Sequence, residues 1–85
     1  MASTHQFGLS PQHIAALKDH FALANRHVAS GNRVVARQRQ LIEELETDGH
    51  DTREALSLLA RFEDLLALHV SDRDRLFDEL RLAEA

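Results

Sequence analysis

Between residues 14 and 45 the chain repeats one spacing. Ile14, Leu17, Phe21, Ala24, Val28, Gly31, Val35, Gln38, Ile42 and Leu45 follow one another in gaps that alternate between three and four residues, without a slip. Such a pattern keeps all ten positions on one stripe of an α-helix and matches a heptad seam, with Ile14, Phe21, Val28, Val35 and Ile42 in equivalent places. Gly31 lies inside the seam beside Ser30 and Asn32, and a glycine costs about 1 kcal/mol in a helix interior. The periodicity nevertheless runs through it, which predicts one helix of about 38 residues, roughly 55 Å long, with Ser30–Asn32 as the place for a bend. A second stripe follows at Ala55, Leu59, Phe62, Leu66, His69, Arg73, Leu76, Leu80 and Ala83, apolar except at His69 and Arg73.

Terminal signals bracket both stripes. Ser10 is a good N-cap, Pro11 suits the first helical position, and Leu9 is placed to staple onto Ile14. Residues 1–9 are small and polar around one Phe and are expected to fray. Gly49 fits the left-handed residue that ends a helix. Asp51 and Glu54 have the spacing of a capping box, so a new helix is expected to start almost at once. The expected boundaries are a first helix over about 11–48, a turn at 49–50, and a second helix over about 51–83, together forming a single domain over 10–85. A connection this short forces antiparallel neighbours, so the expected fold is all-α: an antiparallel two-helix hairpin.

Folding back about 49–50 makes facing residue numbers sum to about 97–102, a register that can be tested against charge and size. One flank then pairs His20 with Glu79, His27 with Asp72, Val34 with Leu65 and Leu41 with Leu58. The other pairs Lys18 with Glu84 and Arg39 with Glu63. The ionic pairs have opposite signs when the histidines are charged, and apolar residues meet apolar ones. In the seam, Phe21 is expected opposite Leu76, Val28 opposite His69, Val35 opposite Phe62, and Leu17 opposite Leu80. The small Ala24 and Gly31 lie near the long Arg73 and His69.

Not every apolar residue finds a partner this way. Val34, Leu41, Leu58 and Leu65 add a third apolar column near the turn, and Leu56, Leu68, Val70 and Phe77 lie further out. A stripe this wide belongs to bundles rather than isolated pairs. With Phe62, the residues Val34, Leu41, Leu56, Leu58, Leu65 and Phe77 are the candidate interaction face. Two hairpins pairing as a homodimeric four-helix bundle is the simplest way to cover it, and another helical protein is the alternative.

Composition narrows the chemistry. Eighty-five residues make one small domain, a size that buries little surface alone. Cysteine is absent, which removes disulfides and thiolate metal sites and fits a cytoplasmic location. The start lacks the basic and apolar regions of a secretory signal, and no apolar run reaches the ~18 residues of a membrane span. The net charge of −4 argues against a phosphate-backbone binder. Six histidines would bring the charge to +2 if all were protonated, so surface electrostatics should respond near pH 6.

Three groups of residues were weighed for chemistry. His13, His20 and His27 recur every seven residues, which puts neighbours roughly 10 Å apart and too distant to share a metal. His69 and Asp72 have i,i+3 spacing, and His27 is expected nearby across the hairpin. With Arg73 they are read as a hydrogen-bonded polar layer, and a metal- or pH-responsive switch is the alternative. Arg26, Arg33, Arg37 and Arg39 form the only basic cluster. A nucleic-acid contact would use this face, but acidic residues accompany Arg37 and Arg39, and Tyr and Trp are absent for base stacking. "SDRDRL" at 71–76 reads as a solvated face. No phosphate loop, nucleophile elbow, carboxylate pair in a cleft or Cys–His pair is present, so neither an enzyme nor a cofactor is expected. The expected function is a non-catalytic protein-interaction and oligomerisation module, a small regulatory adaptor. A small nucleic-acid-associated regulator is the alternative.

Residues 27–76 also resemble a set of short alphaproteobacterial proteins that share the pattern HxxxGxxxxxRQRxLIxxLxxxGHDTxxAxxLLxxFExxxxLHxxxRDRL. The matching residues include His27, Gly31, Arg37, Gln38, Arg39, Gly49, His50, Asp51, Thr52, Phe62, Glu63, His69, Arg73, Asp74 and Arg75. The resemblance implies the helical hairpin and no particular activity. The first 26 residues lie outside it.

Overall fold

A computed structural model describes residues 10–85; the expectations for residues 1–9, including the Leu9–Ile14 staple, fall outside the described residues. The chain forms two helices, α1 (Pro11–Thr47) and α2 (Arg53–Glu84), packed against each other along their length. The start of α1 is built as its sequence requires. Ser10 is extended (φ −67°, ψ 157°) and its Oγ accepts the His13 amide at 3.2 Å, while Pro11 occupies the position where a missing N–H costs nothing. The helix passes through Ser30, Gly31 and Asn32 without a break.

The C-terminus of α1 is a Schellman motif. Gly49 has φ 77°, its amide donates to Glu46 O at 3.1 Å, and the His50 amide donates to Leu45 O at 2.8 Å. These two bonds satisfy carbonyls that the helix would otherwise leave open. No basic residue lies in the last turn, so the glycine geometry carries the termination.

The start of α2 differs from expectation. The capping box does not form: the helix begins at Arg53, with Thr52 at the cap position making no side-chain cap bond. Asp51 still contributes, because its Oδ1 accepts the Arg53 amide at 2.9 Å. Its carboxylate also grips the Arg53 guanidinium, with Oδ2 2.6 Å from Nη2. An exposed ion pair with Arg53 and one backbone bond thus engage the carboxylate expected to open a capping box.

Packing follows the two stripes closely. In α1, the residues that are not exposed are Ile14, Leu17, Phe21, Ala24, Val28, Gly31, Val35, Gln38, Ile42 and Leu45, the ten positions of the seam. In α2 they are the nine seam positions and Val70. The helices share the burden unequally, since five α1 residues are buried and only Leu76 of α2 is. The backbones approach closely at Gly31, where a Cβ would sit 2.9 Å from Leu66 Cδ1. Near the turn, buried Gln38 donates from Nε2 to Ala55 O at 2.9 Å, tying the two helices at a polar point in an otherwise apolar seam. At the far end, the Phe21 ring lies 5.8 Å from that of Phe77, the neighbour of buried Leu76.

Candidate functional site

Both cross-hairpin ion pairs on one flank form: Lys18 Nζ to Glu84 at 3.3 Å and Arg39 Nη2 to Glu63 at 2.8 Å. They fix the register and place charge on that flank at both ends of the hairpin. Leu56, Val70 and Phe77 share the heptad column of Glu63 and Glu84, so they lie on this same side.

The opposite flank is apolar and open. Val34 and Phe62 border two adjoining grooves. One also takes in Leu41, Arg37, Gln38 and Glu44, and the other takes in Gly31, Leu65, Leu66, His27 and His69. Val34, Leu41, Leu58 and Leu65 are 41%, 43%, 40% and 51% exposed, high values for branched aliphatic side chains beside a core. The hairpin therefore assembles Val34, Leu41, Phe62 and Leu65 into one strip, with Leu58 one heptad from Leu65 toward the turn. Leu56 and Phe77, grouped with these residues by sequence, belong to the other flank. Phe77 is instead engaged with Phe21. The second groove, about 230 Å³, is walled almost wholly by carbon.

The polar layer is not a buried layer. His69 and Arg73 are half-buried, whereas His27 and Asp72 are exposed. Asp72 does not reach His27: its Oδ1 accepts from Arg75 Nη2 at 2.6 Å, and Arg75 also donates to Glu79 Oε1 at 2.9 Å. An arginine three residues along the same helix is closer than an imidazole across the hairpin, so the local pair wins. The same triad accounts for Glu79, expected opposite His20. Asp72 first, and Glu79 second, hold the Arg75 guanidinium above its ordinary value. Arg73 turns to Asp74 at 3.0 Å. What remains across the hairpin is a pair of imidazoles, His27 and His69, with ring centroids 5.0 Å apart and planes tilted by 52°. Among the described residues, no group of three or more His, Asp or Glu side chains is arranged to hold a metal ion.

The basic cluster loses Arg39, which pairs with Glu63 across the hairpin. Arg33 donates to Ser30 Oγ at 3.1 Å, and Arg37 borders the apolar groove with Glu44. Arg26, Arg33 and Arg37 recur at i, i+7 and i+11 and so share one exposed face of α1.

Sequence reasoning missed the Gln38–Ala55 tie and the Phe21–Phe77 pair. The first had a signal, a lone polar residue in an apolar seam. The second did not, because either Leu76 or Phe77 satisfies the spacing. No helix among the described residues is long and apolar enough to cross a membrane. Comparisons with protein-family models, with curated proteins and with solved structures find no match for this chain.

Proposed function

We propose that this chain is a non-catalytic interaction module of the cytoplasm whose hairpin docks on a second copy of itself, forming a homodimeric four-helix bundle. The observation that carries this reading is the uncovered strip of Val34, Leu41, Leu58 and Leu65 beside the seam. Contiguous apolar surface of this sort is rare on monomers and is the usual mark of a protein interface. A twofold axis lets one patch cover its own copy, so every exposed residue of the strip gains a partner at once. Size complementarity supports a like partner: the strip offers leucines as knobs, and the groove over Gly31 is a hole for one. Arg37 and Glu44 border the strip together, so its rim carries both signs and does not repel a copy of itself.

The test is the oligomeric mass of Leu41→Asp and Leu65→Asp by light scattering after gel filtration. A buried carboxylate in the interface centre should cost about 2 kcal/mol or more and shift the population to single chains. Both variants should keep their helical circular dichroism, because both positions are exposed in the isolated hairpin. Unchanged mass in both would remove the strip from the interface.

A further inference from the structure

We propose that His27 and His69 form a two-ligand site for a borderline divalent cation such as Zn²⁺, clipping α1 to α2. Geometry carries the proposal. A Zn–N distance of about 2.0–2.1 Å puts the ring centroid roughly 3.2 Å from the metal, so two imidazoles on one tetrahedral ion have centroids roughly 5 Å apart. The two rings stand at 5.0 Å, tilted rather than stacked. They come from different helices, so the distance is set by the hairpin register, which the Lys18–Glu84 and Arg39–Glu63 pairs and the Gly31–Leu66 contact hold from both sides. The ring separation therefore needs no change in the hairpin register; only imidazole rotation is required to aim one nitrogen of each ring at the ion.

Its surroundings suit a cation. Neither imidazole makes a hydrogen bond or an ion pair among the described residues, so binding breaks nothing. The nearby charges cancel in pairs, Asp72 with Arg75 and Arg73 with Asp74, so no uncompensated guanidinium repels the ion. In the single hairpin His27 is exposed and His69 half-buried, so the two rings border the groove beside Gly31 and not the closed seam. Neutral imidazole is a preferred ligand of Zn²⁺. An ion held at both nitrogens would close the chain between residues 27 and 69 in the folded state only, and so stabilise it.

The experiment is thermal unfolding at pH 7.5 with ZnCl₂ alone as the probe, reversed by a chelator, on the whole chain. A rise in Tm is expected for the unmodified protein, for His20→Ala and for His50→Ala. It should be lost in His27→Ala and in His69→Ala. Because His69 contributes to packing, His27→Ala is the decisive variant: His27 is exposed, and its loss leaves the core intact. Histidine ring NMR signals provide a second readout, with those of His27 and His69 shifting on zinc addition before those of the other four. No rise in the unmodified protein, or a rise that survives His27→Ala, overturns the proposal.

Discussion

The turn-proximal and turn-distal halves of the hairpin share one seam but solve the problem of its flanks differently. Toward the helix ends the flanking positions are ionic or aromatic: Lys18 with Glu84, Asp72 with Arg75, and Phe21 with Phe77. Those partners are found within the hairpin, and water takes the rest. Toward the turn, the equivalent positions are Val34, Leu41, Leu58 and Leu65, which two helices cannot cover. Both halves leave apolar side chains bare, Leu23, Leu68, Phe77 and Leu82 away from the turn and Val34, Leu41, Leu58 and Leu65 near it, but only the second group forms the strip along the grooves beside the seam. The difference lies in a few side chains flanking an otherwise uniform heptad pattern. Seam periodicity therefore specifies a hairpin, and the residues beside the seam specify what the hairpin is for.

The largest effect expected from testing this contrast is in the core of the turn-proximal half. Ile42 is 6% exposed, and truncation to Ala should cost about 2–5 kcal/mol, read from urea unfolding. If this half also carries the interface, the loss should depend on protein concentration, because folding and association are then linked. Leu82→Asp is the matching surface change in the turn-distal half. Leu82 is 67% exposed, and its substitution should change neither mass nor midpoint beyond about 0.5 kcal/mol.

The fold-back joining α1 to α2 should respond more modestly. Gly49 has φ 77° and nothing within 4 Å of a built Cβ, so Gly49→Ala isolates backbone strain, expected at about 1–2 kcal/mol in equilibrium unfolding. The smallest effect is at the start of α2. The Asp51 carboxyl is held below its ordinary value of 3.8 by its hydrogen bonds to Arg53. A group whose folded pKa is depressed stabilises above its unfolded pKa and loses that contribution as pH falls through the folded one. Asp51→Asn should therefore be slightly less stable than the unmodified chain near neutral pH, and the gap should close as the pH drops below 3.8. A gap that stays constant down to strongly acidic pH would mean that the carboxylate charge contributes nothing there.

Much of this architecture was legible in the residues. The alternating spacing identified every seam position, because burial in a two-helix pair depends on little beyond period. Gly49 announced the turn, since few residues tolerate the left-handed conformation there. Lys18–Glu84 and Arg39–Glu63 followed from register alone. Where the reading failed, two partners competed at similar distance. Asp72 had a choice between His27 across the hairpin and Arg75 on its own helix, and Asp51 a choice between a capping box and Arg53. In each case the nearer, charge-assisted partner on the same segment won. The apolar strip was visible as surplus hydrophobic residues, but its division between two flanks, with Leu56 and Phe77 apart from Val34, Leu41 and Leu65, needed the three-dimensional placement. Val70, half-buried outside the seam, was missed because it lies at the edge of the stripe.

A homodimer requires a second copy to cover the strip near the turn. Sedimentation equilibrium of the unmodified chain at tens of micromolar, roughly the range in which modest interfaces saturate, tests that most directly. The expected result is a mass twice the 9.6 kDa of one chain, falling toward one chain on dilution. A single-chain mass that persists throughout that range would contradict it.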